Sequence, residues 1–159
     1  MANVKPIPEG MDSLTPHLTV SNAKEAIEFY KKAFGAQEMH RSAMPDGRIM
    51  HASLRIGGGH LMLNDSFEEM KGPPAPRAND HLPFVINLYV ENADEVFDRA
   101  VKAGARVTMP LSNQFWGDRY GHLADPYGYR WSIAQHIEDV TPDEMKKRAE
   151  AMFAQPAHK

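Results

Sequence analysis

Eight histidines and no cysteine define the side-chain chemistry open to this 159-residue chain. Imidazole offers a general base with a pKa near neutrality, and a ligand for divalent metals. The missing thiols remove disulfides, thiolate metal sites and cysteine nucleophiles together. His17, His51 and His60 lie in or beside β-like runs, and His122 and His136 belong to two further runs near the end. His40, His81 and His158 read as surface or loop residues. No spacing among the eight selects one as a general base. Asp65, Glu68, Asp118 and Asp125 form no carboxylate pair of recognisable spacing. There is no Gly-x-Ser-x-Gly elbow, and the glycines at 57–59 precede a strand rather than a helix, so they read as a hairpin turn.

The densest chemistry sits in FWGDRYGHLADPYGYRW, residues 115–131. Within it DPYG, residues 125–128, has the residues of a tight turn. Strand neighbours point to opposite faces, so Tyr129 and Trp131 go to a core while Arg130 takes the other face. By the same rule Asp118 and Arg119 cannot share a face. The expectation is a turn contact for Asp118, with Arg119 either in a cleft or in an ion pair. Phe115 and Trp116 precede the strand as candidate rim residues, and Arg119 and Tyr120 are the functional candidates at its centre.

What must position these groups is a duplicated unit. HLTVSNAKEAIEFYKKAFGAQ, from His17, matches NLYVENADEVFDRAVKAGARV, from Asn87: Leu18, Val20, Asn22, Ala23 and Glu25 recur as Leu88, Val90, Asn92, Ala93 and Glu95. Each copy opens with a short alternating strand and continues as a helix. Ala26, Ile27, Tyr30, Ala33 and Phe34 share one face of the first helix, and Val96, Phe97, Ala100 and Val101 share one face of the second. Asn22 and Asn92 suit N-caps, and Gly35 and Gly104 suit helix ends. Three β-like runs follow in each copy, at about 37–44, 48–56 and 60–64, then about 106–110, 119–124 and 129–136. The order is βαβββ, linker, βαβββ. The expected limits within one domain, 1–159, are about 12–67 for module 1, 68–83 for a proline-rich linker and 84–137 for module 2. A helix over about 141–153 closes the chain, with Thr141 as cap, Pro142 at its first position and Glu144 completing a capping box.

The bulk properties narrow the partners. A formal charge of −3 supplies no basic field for nucleic acid. No apolar run reaches the roughly 18 residues that span a bilayer, and the N-terminal MANVKPIPEG lacks the apolar core of a secretory signal. The expectation is a soluble, cytoplasmic protein with no nucleic-acid or membrane partner.

The duplicated βαβββ unit, with AIEFYKKAFGA in the first copy and GDRYGHLADPYGYRW in the second, resembles the vicinal oxygen chelate superfamily of glyoxalase I, bleomycin-resistance proteins and extradiol dioxygenases. Its small PhnB-like and glyoxalase/bleomycin-resistance-like members are the more similar. The resemblance implies an α+β fold in which two βαβββ modules form a concave mixed-sheet cleft, and it implies a homodimer. Side-chain parity then assigns the cleft. Leu14, Pro16, Leu18 and Val20 oppose Thr15, His17 and Thr19; Leu61 and Leu63 oppose His60, Met62 and Asn64. Phe84, Ile86, Leu88 and Val90 oppose Val85, Asn87 and Tyr89, and Trp131 and Ile133 oppose Arg130, Ser132 and His136. The expected ligand-lining set is Thr15, His17, His60, Met62, Asn64, Asn87, Tyr89 and Ser132, with Trp116, Arg119 and Tyr120 at the rim.

Metal-dependent members of that superfamily place His or Gln, Glu, His and Glu on the first, fourth, fifth and eighth strands. The alignment implied by the resemblance puts Thr15, Met62, Val85 and Ser132 there, and none is a strong ligand. A two-residue slip brings His17 to the first place and His60 or Asn64 to the second. The eighth strand still has no carboxylate between Gly128 and Gln135. The leading expectation is therefore binding of a small organic molecule without a conventional metal centre, either as sequestration or as an unassigned reaction. The rival is a glyoxalase-like lyase or isomerase using nickel, zinc or iron, and a third reading is a dimeric scaffold with no ligand.

Overall fold

The computed structural model describes residues 4–154, so His158 and the first residues of MANVKPIPEG lie outside the described residues. The element order is β1 (His17–Val20), α1 (Ala23–Phe34), β2 (Gln37–Ala43), β3 (Ile49–Ile56), β4 (Gly59–Asp65), a 3-10 turn at Glu68–Met70, β5 (Ile86–Tyr89), α2 (Ala93–Ala103), β6 (Arg106–Asn113), β7 (Asp118–Ala124), β8 (Arg130–His136) and α3 (Pro142–Ala154). The strands form two four-stranded sheets, β1-β4-β3-β2 and β5-β8-β7-β6. In each, the strand before the helix pairs in parallel with the last strand of its module. This is the α+β architecture of two βαβββ modules that the duplication predicts.

The helices start and stop where the sequence predicts. Asn22 Oδ1 accepts the Glu25 amide at 3.1 Å, and Asn92 Oδ1 accepts the Glu95 amide at 3.2 Å, each satisfying a donor that the first turn leaves free. Gly35 and Gly104 end the helices in the left-handed conformation. On α3, Thr141 Oγ1 accepts the Glu144 amide at 3.3 Å. β6 outruns its predicted end through Pro110, which an edge strand broken by register shifts tolerates.

The module packing arises from which faces are apolar. Both helices and the helix-facing sides of both sheets enter one hydrophobic core. Tyr30 and Phe34 of α1 lie against Trp131 of β8, with ring centroids 5.5 and 4.5 Å apart. α1 packs on α2, and Arg99 Nε donates to the Ala33 carbonyl at 3.0 Å. The two sheets share no ladder. Because the helix-facing sides of both enter the shared core, each sheet turns its polar face away from that core.

Buried carboxylates stitch this arrangement. Asp65 accepts the amides of Ala23 (2.7 Å) and Ile49 (2.6 Å), tying α1 to its sheet. Gln135 occupies the matching place in module 2 and accepts the Ala93 amide at 3.0 Å. Asp125, 2% exposed, accepts Tyr30 Oη–H at 2.7 Å, Trp131 Nε1–H at 3.0 Å and the amides of Tyr127 and Tyr129, both at 2.9 Å. Burial raises the Asp125 carboxyl above its ordinary value, against the lowering pull of those four donors. Tyr129 makes a second link between modules. Its hydroxyl donates to the Thr19 carbonyl (2.8 Å) and accepts the Thr19 amide (3.1 Å) on the outer edge of β1.

The C-terminal segment returns to the start of β7 through Gly117. Its carbonyl accepts the Ile137 and Glu138 amides at 2.9 and 3.0 Å, its φ is +97°, and a Cβ there would collide with the Glu138 carbonyl oxygen.

Candidate functional site

On the first sheet, strand register places two rows of side chains on the polar face. One row is His17, Met62, Ser53 and His40; the next is Thr19, Asn64, His51 and Ser42. Alternation along β1 and β4 thus puts His17, Met62 and Asn64 where the sequence assigns them. His51 stands between His17 and His40, with ring centroids at 5.7 and 6.1 Å. Burial first, then the neighbouring imidazoles, lower the His51 pKa. Thr15 precedes β1, and its hydroxyl donates to the Asp12 carbonyl at 3.4 Å. His60 begins near the same segment, with Nδ1 3.0 Å from Asp12 Oδ2.

The polar face of the second sheet carries Tyr89, Ala134 and Tyr120 in one row, Asn87, Ser132 and His122 in the next. Ser132 has the expected parity but is only 1% exposed, and its hydroxyl donates to Asn87 Oδ1 at 2.5 Å. It lies beneath the surface that its larger neighbours form. Trp116 and Tyr120 meet edge to face at 5.5 Å, and Tyr120 Oη is 2.9 Å from His122 Nε2. Burial, then the charge of Arg130, lower the His122 pKa.

Asp118 organises one end of this face. Its carboxylate, 4% exposed, accepts Tyr89 Oη–H at 2.6 Å and Trp116 Nε1–H at 3.1 Å, and lies 3.0 Å from His136 Nδ1. The other ring nitrogen of His136 is 2.9 Å from Asp139 Oδ1. Burial alone would raise the Asp118 carboxyl, but the donors from Tyr89, His136 and Trp116 hold it below its ordinary value.

One expectation requires correction. Of the two alternatives for Arg119 the structure shows the ion pair, and the side chain is not at the rim of the polar face. It takes the helix-facing side of β7, where Nε and Nη2 fork onto Asp94 at 2.7 and 2.6 Å and Nη1 donates to Asn113 at 3.0 Å. Asp118 opens β7 and makes the expected turn contact, its carbonyl accepting the Gln114 amide at 2.7 Å and its carboxylate accepting Trp116 Nε1–H. The signal was available: Arg119 shares parity with Leu123, whose apolar side chain selects the core side.

His136 carries a pH prediction. The hydrogen bonds from Asp139 and Asp118 raise its pKa above the ordinary 6.5. A raised folded value means stabilisation that is complete below the unfolded pKa and fades as pH rises through the folded one. Substituting His136→Asn should therefore lower the melting temperature most near pH about 5.5 and progressively less toward pH about 8.5. A deficit that stays constant or grows with pH contradicts the paired imidazolium.

A first-row metal needs donors converging at about 2.0–2.3 Å. Among the described residues no three His, Asp or Glu side chains are grouped to hold an ion. His51 neighbours His17 and His40 pairwise, with no such group formed by the three, so the residues of one chain do not fit a nickel, zinc or iron centre.

These features, two βαβββ modules and two polar sheet faces on a shared core, define a class. A family model described as the Glyoxalase/Bleomycin resistance protein/Dioxygenase superfamily matches residues 10–133, and the chain belongs to that superfamily. Uncharacterized protein Mb0911c of Mycobacterium bovis is 46% identical over 136 residues, covering 84% of this chain and 90% of its own. Protein YjdN of Escherichia coli is 27% identical over 76% of this chain and 92% of its own. Among solved structures, TioX of Micromonospora sp. ML1 is 27% identical with a TM-score of 0.64, over 79% of this chain and 99% of its own. The PhnB protein of Bacillus cereus, at 21% identity and a TM-score of 0.59 over 78% of this chain and 99% of its own, shares the fold. Among the described residues no helix is long and apolar enough to cross a membrane.

Proposed function

We propose that this chain binds a small organic molecule on the polar face of its second sheet, as a homodimer in which the first sheet of one copy closes over the second sheet of the other. The observation that carries the reading is the fixed aromatic set: Trp116 and Tyr120 stacked edge to face, and Tyr89 held through Asp118. Small-molecule sites are built from such apolar and aromatic walls with a few oriented polar groups. The dimer follows from each sheet turning its polar face away from the shared core, which leaves each as half of a cup. His17, Met62 and Asn64 are then the contribution of the covering copy. Binding proceeds without a metal, because the described side chains of these faces form no group of three His, Asp or Glu, and the Asp118 carboxylate is engaged by Tyr89, Trp116 and His136.

Aromatic probes should raise the melting temperature, since a ligand that binds the native state alone stabilises it. Trp116 fluorescence should report binding, and Tyr120→Ala should weaken it about tenfold. Protein purified without chelator should carry far less than one equivalent of metal. Equimolar nickel, zinc or iron, with turnover of a glutathione hemithioacetal, establishes the metal-dependent lyase instead.

A further inference from the structure

The second sheet carries a cationic recess at the end opposite Asp118. Arg130 on β8 and Arg106 on β6 both pair across Ala124 of β7, so the two side chains rise from one face with only a methyl group between them. Two strand spacings separate their backbones by roughly 10 Å, which long guanidinium side chains span easily. His122 stands in the next row, and His81 and Leu82, from the segment before β5, form the far wall of a recess of about 380 Å³.

Among the described residues, neither arginine of this recess is paired with a carboxylate. Elsewhere arginines meet carboxylates: Arg41 with Glu38, Arg48 with Asp46 and Glu69, Arg119 with Asp94, and Arg148 with Glu138 and Glu144. Among the described residues neither Arg106 nor Arg130 forms a salt bridge. The polar contact of Arg130 is Nη2 to His81 Nδ1 at 3.5 Å. The one carboxylate in the lining, Asp80, already accepts the Arg77 amide at 2.8 Å. Arg55 and Arg77 also lack carboxylate partners, but neither faces a second guanidinium across a recess. Two guanidinium groups without carboxylate partners line this recess, and planar guanidinium forks match the oxygens of carboxylate and phosphate.

We propose that this recess binds the oxyanion end of a small organic acid, a carboxylate or a phosphate monoester, between Arg106 and Arg130. The body of the ligand then runs past His122 toward Tyr120 and Trp116. The four residue steps from Ala124 to Tyr120 span about 13 Å of strand, which sets the length of acid that reaches both ends. The position of the ligand body rests on the function proposed above, whereas the anion contact does not.

The test uses the full chain at constant ionic strength. Inorganic phosphate should shift the side-chain Nε–H resonances of Arg106 and Arg130 saturably, and Arg130→Gln and Arg106→Gln should each weaken that binding about tenfold. Lys24→Gln, on α1, should leave it unchanged, and melting temperatures should show that all variants remain folded. In parallel, 4-phenylbutyrate and its neutral amide are titrated against Trp116 fluorescence. Preference for the acid, lost in Arg130→Gln, supports the carboxylate source; phosphate binding without that preference supports the phosphate source. No saturable shift with phosphate and equal affinity for acid and amide overturns the anion site while leaving the ligand-binding reading intact. No response to phosphate, acid or amide sinks both.

Discussion

Asp125→Ala should unfold or nearly unfold the protein under mild conditions, with a loss on the order of 3–5 kcal/mol in denaturant titration. The substitution leaves the Tyr30 hydroxyl, the Trp131 indole N–H and the amides of Tyr127 and Tyr129 without their acceptor in a dry interior. An unmade hydrogen bond at a buried donor costs about 1–3 kcal/mol. The damage is not local, because Tyr30 belongs to the first module and Trp131 to the second. Asp125→Asn tests the argument from the other side. It removes a charge that burial penalises and keeps one oxygen for the Tyr127 and Tyr129 amides, but turns an NH2 toward the Tyr30 hydroxyl and the Trp131 indole N–H. It should therefore cost less than alanine, by the worth of the two backbone contacts it keeps. Equal losses for the two substitutions would mean that the oxygen facing Tyr30 and Trp131, and not the pair of backbone contacts, holds this junction.

Gly117→Val should be the next most damaging change, at roughly 3 kcal/mol. A residue with a Cβ resists φ of +97°, and this Cβ would strike the Glu138 carbonyl. Relief requires moving the chain that follows β8. That motion breaks the His136–Asp139 contact and unseats the Arg148–Glu138 pair that anchors α3. Limited proteolysis should then cut between residues 138 and 154 in the variant well before the rest of the chain. Resistance equal to that of wild type would show that the segment is held by α3 and not by Gly117.

Local physics explains how much of this was legible in the sequence. Caps at Asn22, Asn92 and Thr141 act within one helical turn, so they can be read directly. The alternation in β1, β4, β5 and β8 is equally local, and it assigns His17, Met62, Asn64, Asn87 and Tyr89 to the polar faces. Asp65 and the link from Asp125 to the first module escaped because those partners are distant in sequence: Ala23 lies 42 residues from Asp65, and Tyr30 lies 95 from Asp125. Ser132 had the right parity, but depth depends on the size of neighbours two strands away. Arg119 was a failure of weighing: its charge suggested function, whereas the parity it shares with Leu123 pointed to the helix side. The Arg106–Arg130 recess needs the β6–β7–β8 register, which joins residues that the sequence separates by a turn and a hairpin.

The hydroxyl of Tyr129 has one more consequence. An exposed strand edge is a template on which a foreign strand can add, the first step of many aggregation routes. The Thr19 amide and carbonyl, at the centre of the outer edge of β1, are already taken by that phenol. The far edge of the first sheet, β2, is broken by register shifts and carries Glu38 and Arg41; that of the second, β6, has shifts and Pro110. Among the described residues β5 alone keeps a regular outer edge, and it is four residues long. Tyr129→Phe, mild as it looks in the core, reopens β1 as a growth point, so its cost should show in clumping at high concentration before it shows in unfolding.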